Sequence, residues 1–145
     1  MPKIYNAVRK YFETISDQPP IFNKMDGHVS VRFWIGGDGY TCRVEVDDDK
    51  KELILTYVGD ETGLPQARHR ALSSLFKRAN KEVQQGKFTF NRDLGMYFFK
   101  TKTVCGENLE TDIETAIMNS LRIFAAAREW VLNVVRNNER PADVM

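Results

Sequence analysis

The chain has 145 residues, of which 42% are hydrophobic and 28% are charged. This length fits one domain, residues 1–145, whose core needs no disulfide or metal, and the composition excludes a disordered chain or a coiled coil. The 21 lysines and arginines nearly balance the 20 acidic residues, for a net charge of +1. Nucleic acid is therefore not expected as the main partner.

Targeting signals and cysteine usage indicate the cellular compartment. No run is apolar over the roughly 18 residues that a membrane span needs, and the N-terminal sequence MPKIYNAVRK is not that of a signal peptide. Cys42 and Cys105 lie far apart and form no CxxC pair, so two free thiols are expected. These features predict a cytoplasmic protein that does not bind a membrane.

The first half of the chain predicts one helix and three strands. Apolar residues at helical spacing predict a helix over residues 3–16, which ends at the Pro-Pro pair of residues 19–20. Apolar and polar residues then alternate over His28–Ile35, residues 40–46 and residues 52–58. Because short loops join these strands, we expect an antiparallel meander with one buried face.

The second half predicts a helix, a hairpin and a longer helix. The second helix is expected to end at Gly86, and the hairpin pairs Lys87–Asn91 with residues 96–102. The final helix runs from Asn108 or Thr111 to about residue 137. The order α-βββ-α-ββ-α predicts an α+β fold, an antiparallel sheet of about five strands with helices packed on it.

The return strand of the hairpin is apolar on both of its faces. Tyr97 and Phe99 point one way, and Met96 and Phe98 point the other way. A strand of this kind is covered on both faces, by a helix, by another sheet or by a partner. Tyr97 and Phe99 are therefore candidate contacts with a partner protein.

Arg32, Trp34 and Arg43 occupy outward positions on neighbouring predicted strands. A tryptophan flanked by arginines is typical of protein-binding hot spots. The alternative is a patch that faces solvent or is covered by the first helix. We take the three residues as further candidate contacts with a partner.

The final helix is apolar over an unusually wide arc, about 200°. One sheet face needs only about half of such an arc. The second flank, which contains Ile123 and Trp130, must therefore meet either the first helix or another subunit. This predicts a homodimer whose interface includes some of Ile123, Trp130, Tyr97 and Phe99.

No residue pattern typical of catalysis or metal binding is found. His28 and His69 lack the paired spacing of a zinc or iron site. The glycine-rich run at residues 36–39 leads into a strand, so it is a turn and not a phosphate loop. Asn80 is expected to satisfy backbone groups at the helix end or in the hairpin, and Cys105 is expected to be the more accessible thiol. No catalytic residue, metal or cofactor is predicted.

Three short motifs lie between residues 64 and 99. They are a Leu-Pro pair at residues 64–65, an Ala-Asn turn at residues 79–80 and a Gly-Lys-Phe-x-Phe strand at residues 86–90. Together with the element order, they resemble the bacterial YbjN family and, through it, the fold of type III secretion chaperones. The resemblance implies a small, cytoplasmic, dimeric module with a regulatory or chaperone-like role. Because these motifs serve packing and turning, it implies no functional residue.

The sequence therefore predicts a non-enzymatic module that binds a segment of a partner protein, of unknown identity, by hydrophobic surface and strand pairing. The alternative is a small-molecule sensor or minor enzyme with a pocket between the sheet and the C-terminal helix. Asn80 and Arg128 are the polar groups that the sequence offers to such a pocket. An open apolar sheet face would favour the first hypothesis, and a closed, filled core would exclude the second.

Overall fold

The computed structural model describes residues 3–25, 28–59 and 64–144. In chain order, the helices and strands are α1 (Lys3–Ile15), β1 (Ile21–Met25), β2 (His28–Ile35), β3 (Asp38–Asp47), β4 (Glu52–Gly59), α2 (His69–Glu82), β5 (Lys87–Asn91), β6 (Met96–Val104), α3 (Leu109–Arg136) and α4 (Pro141–Val144). No helix in these ranges is long and apolar enough to cross a membrane.

The strands form one antiparallel sheet in the order β1-β2-β3-β4-β6-β5. The predicted α+β fold is confirmed, but the sheet has six strands and not about five. The additional strand is β1, which pairs with β2 from Ile21 opposite Arg32 to Met25 opposite His28. The apolar residues of β1 are Ile21, Phe22 and Met25, and because they do not alternate with polar ones, the sequence does not predict a strand.

The helices of the described ranges pack on one face of the sheet, which we call the inner face. A row of buried side chains crosses this face through directly opposed residues, namely Val31, Cys42, Tyr57, Phe99 and Phe88. Aromatic rings connect the layers: Phe124 of α3 stacks on Tyr57, and Phe76 of α2 stacks on Phe88. The hydrophobic core therefore lies between the inner face and the three longer helices.

The wide apolar arc of α3 is covered from more than one side. Ala127 and Val134 are fully buried, and α3 contacts α1, α2 and α4 as well as the sheet. Arg68 also donates a hydrogen bond from Nε to the carbonyl oxygen of Val134 (3.0 Å). The expectation that only the first helix or another subunit can meet this flank is therefore wrong, because α2 and α4 meet it too.

The junction between α2 and β5 differs from the prediction. The helix ends at Glu82, and Val83 is already extended, so Gly86 does not end the helix. Gly86 instead precedes β5 with a φ of +105°, where a Cβ atom would lie 2.7 Å from Cζ of Phe99. Glycine is needed at this position both for its φ and for the close approach of the aromatic ring.

Candidate functional site: an open sheet face and a strand edge

The second face of the sheet, which we call the open face, has no fully buried side chain on the described strands. Its side chains include Arg32, Trp34, Arg43, Ile54, Thr56, Val58, Lys87, Met96, Phe98, Lys100 and Lys102. One solvated face is common in antiparallel sheets, but its residues are then mostly polar. Half-buried Trp34, Ile54, Val58 and Phe98 make this face unusually apolar.

Arg32 and Trp34 lie together at one end of the open face. Gly39 is paired opposite Trp34, and a Cβ atom on Gly39 would lie 2.6 Å from Nη2 of Arg32 and 3.1 Å from Nε1 of Trp34. The missing side chain therefore lets the guanidinium and the indole approach each other over the strand. Arg32 is held further by a hydrogen bond from Nη1 to Oγ1 of Thr41 (3.0 Å).

Cationic side chains extend across the open face toward β5. Arg43 is opposite Thr56, Thr56 is opposite Lys100, and Lys100 is opposite Lys87. Arg43 is paired with Glu45 (Nε to Oε1, 2.9 Å), which lies toward the acidic turn after β3. Lys87 and Lys100 face each other across two neighbouring strands, an arrangement of like charges that costs stability.

The structure places Tyr97 and Phe99 on the inner face, where both side chains are 0% exposed. The hypothesis that they contact a partner is therefore wrong for the folded chain. Within the aromatic stretch of residues 96–99, the side chains that reach the open face are Met96 and Phe98. The other strand of the hairpin, β5, carries the sequence signal that distinguishes the two faces, because only its Phe88 and Phe90 face is apolar. Phe88 is directly opposite Phe99, so Phe99 belongs to the same, inner face.

The β6 edge, residues 101–104, is a stretch that sequence reasoning missed. β4 pairs with β6 as far as Val104, whereas β5 pairs only with Met96 to Lys100. Among the described strands, none pairs with residues 101–104 on the β5 side. The N–H group of Cys105 bonds to the carbonyl oxygen of Lys51 on the β4 side (2.8 Å). Successive residues of a strand direct their backbone N–H and carbonyl groups alternately to its two neighbours. The backbone groups of Lys102 and Val104 therefore point away from β4, to the side where no described strand pairs with them.

The neighbouring edge of β5 is occupied by a side chain. Asn80 of α2 donates from Nδ2 to the carbonyl oxygen of Phe88 (3.0 Å) and accepts at Oδ1 from the N–H group of Phe88 (2.7 Å). The amide thereby replaces a neighbouring strand at this residue. This confirms that Asn80 satisfies backbone groups of the hairpin, and it makes the β6 edge the more accessible of the two.

A groove of about 560 Å³ runs along the β6 edge. Its walls are residues 84–87 and residues 100–104, and they include the lysines Lys87, Lys100 and Lys102. Lys102 is paired with Glu52 (Nζ to Oε2, 3.3 Å), and Val104 is 67% exposed. The groove therefore combines backbone groups available for strand pairing with a cationic rim.

An apolar groove of about 440 Å³ lies on the helical side of the sheet. Its lining residues come from the end of α1, the β2–β3 hairpin and the middle of α3, and they are Tyr11, Ile15, Ile35, Tyr40, Ile117, Met118, Leu121, Arg122 and Ala125. Asn80 and Arg128 are not among them. Asn80 binds Phe88, and Arg128 is paired with Asp38 (3.3 Å).

The cysteines and histidines show no arrangement for catalysis. Both thiols are buried, with 0% of Cys42 and 2% of Cys105 exposed, so Cys105 is barely the more accessible of the two. Burial raises the pKa of Cys42, and burial together with the nearby Asp112 raises that of Cys105; neither thiol is therefore activated as a nucleophile. Nε2 of His69 lies 3.1 Å from the carbonyl oxygen of Leu64. Within the described ranges, no group of three or more potential ligands could hold a metal ion.

Comparisons with known proteins name no family. No protein-family model matches the chain, and no curated protein matches it. A chain of the ExoT-SpcS complex from Pseudomonas aeruginosa is 16% identical with a TM-score of 0.46, over 89% of this chain and 98% of that chain. A chain of the HopA1-SchA chaperone-effector complex is 15% identical with a TM-score of 0.46, over 92% and 94%. At these TM-scores neither similarity bears on function, and the YbjN resemblance stays a prediction.

Proposed function

We propose that the protein is a non-enzymatic interaction module that holds an extended segment of a partner protein, in a chaperone-like or regulatory role. One observation carries the proposal: the described helices pack on the inner face, while the open face combines apolar and cationic side chains next to a stretch of backbone that no described strand pairs with. Extended peptides bind in this way, because backbone hydrogen bonds supply affinity and alternate side chains supply specificity.

The β6 edge is the proposed place of strand pairing. Its four residues span about 13 Å, and Lys102 and Val104 each offer one N–H and one carbonyl group. Four such hydrogen bonds contribute about 0.5–1.5 kcal/mol each, which by itself gives weak binding. The remaining affinity is assigned to the open face, where half-buried Ile54 lies opposite Lys102 of the edge, and half-buried Phe98 and Val58 lie further along the same two strands.

The cationic rim indicates the chemistry of the partner. Side chains of an added strand that point to the open face would meet Lys87, Lys100 and Lys102, so acidic residues at alternate positions are favoured. A second copy of this chain, paired through the same edge, would oppose lysine with lysine. Lysines on an edge strand protect against such self-association, and we therefore assign the edge to an acidic partner.

Arg32, Trp34 and Arg43 form the proposed second contact. Arg43 lies two strands from Lys100 in the same row, which corresponds to about 10 Å. A partner segment that continues from the edge across the open face would reach Arg43 first and then the Arg32–Trp34 pair. Replacing Trp34 with alanine is expected to weaken such a partner by more than tenfold, as for a buried aromatic hot spot.

Proline at Val104 tests the strand pairing. Proline removes the N–H group of residue 104, which points away from β4, and leaves the pairing with β4 intact. The control Val104→Thr keeps both the N–H group and the branched side-chain shape. The probe is a fluorescein-labelled seven-residue peptide that alternates glutamate and valine, and its control alternates lysine and valine. Fluorescence anisotropy is expected to show binding of the acidic peptide to wild type and Val104→Thr, and at least fivefold weaker binding to Val104→Pro.

Three outcomes of this experiment would contradict the proposal. They are equal binding by Val104→Pro and Val104→Thr, equal binding of the acidic and basic peptides, and an absence of binding by the wild type. Circular dichroism of Val104→Pro must match the wild type. If it does not, deletion of the rim charges by Lys87→Gln and Lys100→Gln is the second test, and unchanged affinity there would contradict the acidic partner.

The apolar groove favours a second role, that of a small-molecule sensor. Its volume of about 440 Å³ lies within the range of small-molecule sites, about 300–1,000 Å³. It is formed where the predicted pocket was expected, between the sheet and the C-terminal helix, although α1 contributes one wall. None of its described lining residues is positioned for catalysis, so we propose binding and not a reaction.

A further inference from the structure

We infer that the apolar groove binds an anionic single-chain amphiphile, such as a medium-chain fatty acid, with its carboxylate at Arg122. The inference rests on the sensor role proposed above and is independent of peptide binding at the open face. The groove and the open face lie on opposite sides of the sheet, so one site can fail while the other holds.

The walls of the groove suit a flexible hydrocarbon chain. Four elements, α1, β2, β3 and α3, contribute aliphatic or aromatic side chains, and the lining residue Ile117 is fully buried. Met118 is 55% exposed at the rim, where its unbranched thioether can adapt to the shape of a ligand. Apolar surface that several elements leave exposed in a concave site is typical of ligand-binding grooves.

The charges at the groove determine the head group and its direction. Arg122 is the only charged side chain among the described lining residues, and no ion pair joins it to another described residue. Glu114 lies about one turn of α3 before the lining residue Ile117, and its carboxylate adds to the effect of burial in raising the pKa of the lining residue Tyr11. Glu114 and Arg122 are eight residues apart on α3, about 12 Å along the helix. A carboxylate is therefore repelled near Glu114 and attracted at Arg122.

Titration calorimetry with decanoate, octanoate and decanol tests the inference on the full chain. Decanoate is expected to bind one to one, and octanoate about 15-fold more weakly, since two methylenes leave the groove. Arg122→Gln should weaken decanoate two- to fivefold, as for a partly exposed ion pair, and leave decanol unchanged. The matched control is Arg136→Gln, which removes an exposed arginine of α3 outside the groove.

Variants that fill the groove provide a second test of the inference. Ala125 lines the groove and Ala126 is exposed next to it, so Ala125→Phe should weaken decanoate by more than tenfold while Ala126→Phe binds as wild type does. If Ala125→Phe does not fold, Met118→Trp fills the groove from its exposed rim.

Several outcomes would overturn the inference. Equal decanoate affinity in Ala125→Phe and Ala126→Phe would place the ligand outside the groove. An equal loss of affinity for decanoate and decanol in Arg122→Gln would show that Arg122 does not bind the carboxylate. A wild-type dimer that Ala125→Phe converts to a monomer would assign the groove to a second copy of the chain. Loss of decanoate binding with intact peptide binding, or the reverse, shows which of the two proposed sites has failed.

Discussion

Replacing Asn80 with alanine tests how the sheet ends at β5. The side chain makes two hydrogen bonds with the backbone of Phe88, and alanine removes both without disturbing the helix, since it is the best helix former. Each lost bond costs about 0.5–1.5 kcal/mol, and the part-buried groups of Phe88 lose their partner as well. We expect a loss of about 2 kcal/mol in the free energy of unfolding. For a chain of this size, that lowers Tm by about 6 °C.

Calorimetry and hydrogen exchange measure this effect. The amide of Phe88 should exchange at least tenfold faster in Asn80→Ala, because its acceptor is lost. Asn119→Ala is the matched control, since Asn119 is an exposed amide on α3, and helix propensity predicts equal or slightly greater stability there. Equal Tm values for Asn80→Ala and the wild type would refute the assignment of Asn80 as the structural end of the sheet.

Asn80→Asp gives a pH-dependent version of the same test. The introduced carboxylate still accepts from the N–H group of Phe88, but it faces the carbonyl oxygen as an anion. Only the protonated carboxyl can donate to that oxygen, so its pKa in the folded state is expected to be raised above the unfolded value of about 3.9. Stability is then full below about pH 4 and is lost as pH rises through the folded pKa. A pH-independent deficit relative to wild type would contradict the two-bond geometry.

Three further predictions follow from the packing. Gly86→Val should cost more than about 2 kcal/mol, because it combines an unfavourable φ with a clash against Phe99; an unchanged urea midpoint would contradict this. Because the pKa values of Cys42 and Cys105 are raised, stability should be full below about pH 8.5 and fall above it; Cys42→Ala should reduce this slope in urea melts at pH 7 and 9.5. For the predicted homodimer, light scattering of the wild type should give twice the chain mass of 16.7 kDa, and Trp130→Glu should give the mass of a single chain. A mass of 16.7 kDa for the wild type would contradict the homodimer.

The regular elements follow from the sequence because their signals are local. The stripe of α1 and the alternation of β2, β3 and β4 repeat over several residues, so each predicts its own helix or strand and its own apolar face. The α+β class and the antiparallel meander result directly from these patterns and from short loops. The outward positions of Arg32, Trp34 and Arg43 follow in the same way.

The tertiary structure decided what no local pattern carries. β1 is a strand because β2 offers it an edge, and its own residues barely alternate. The apolar pattern of β6 is the same on both faces, so the register against β5 and β4 selects Tyr97 and Phe99 for the core and leaves Phe98 on the open face. The β6 edge and the apolar groove arise from where neighbouring elements end. Such sites depend on relations between distant segments, and the periodicity of one segment contains no information about them.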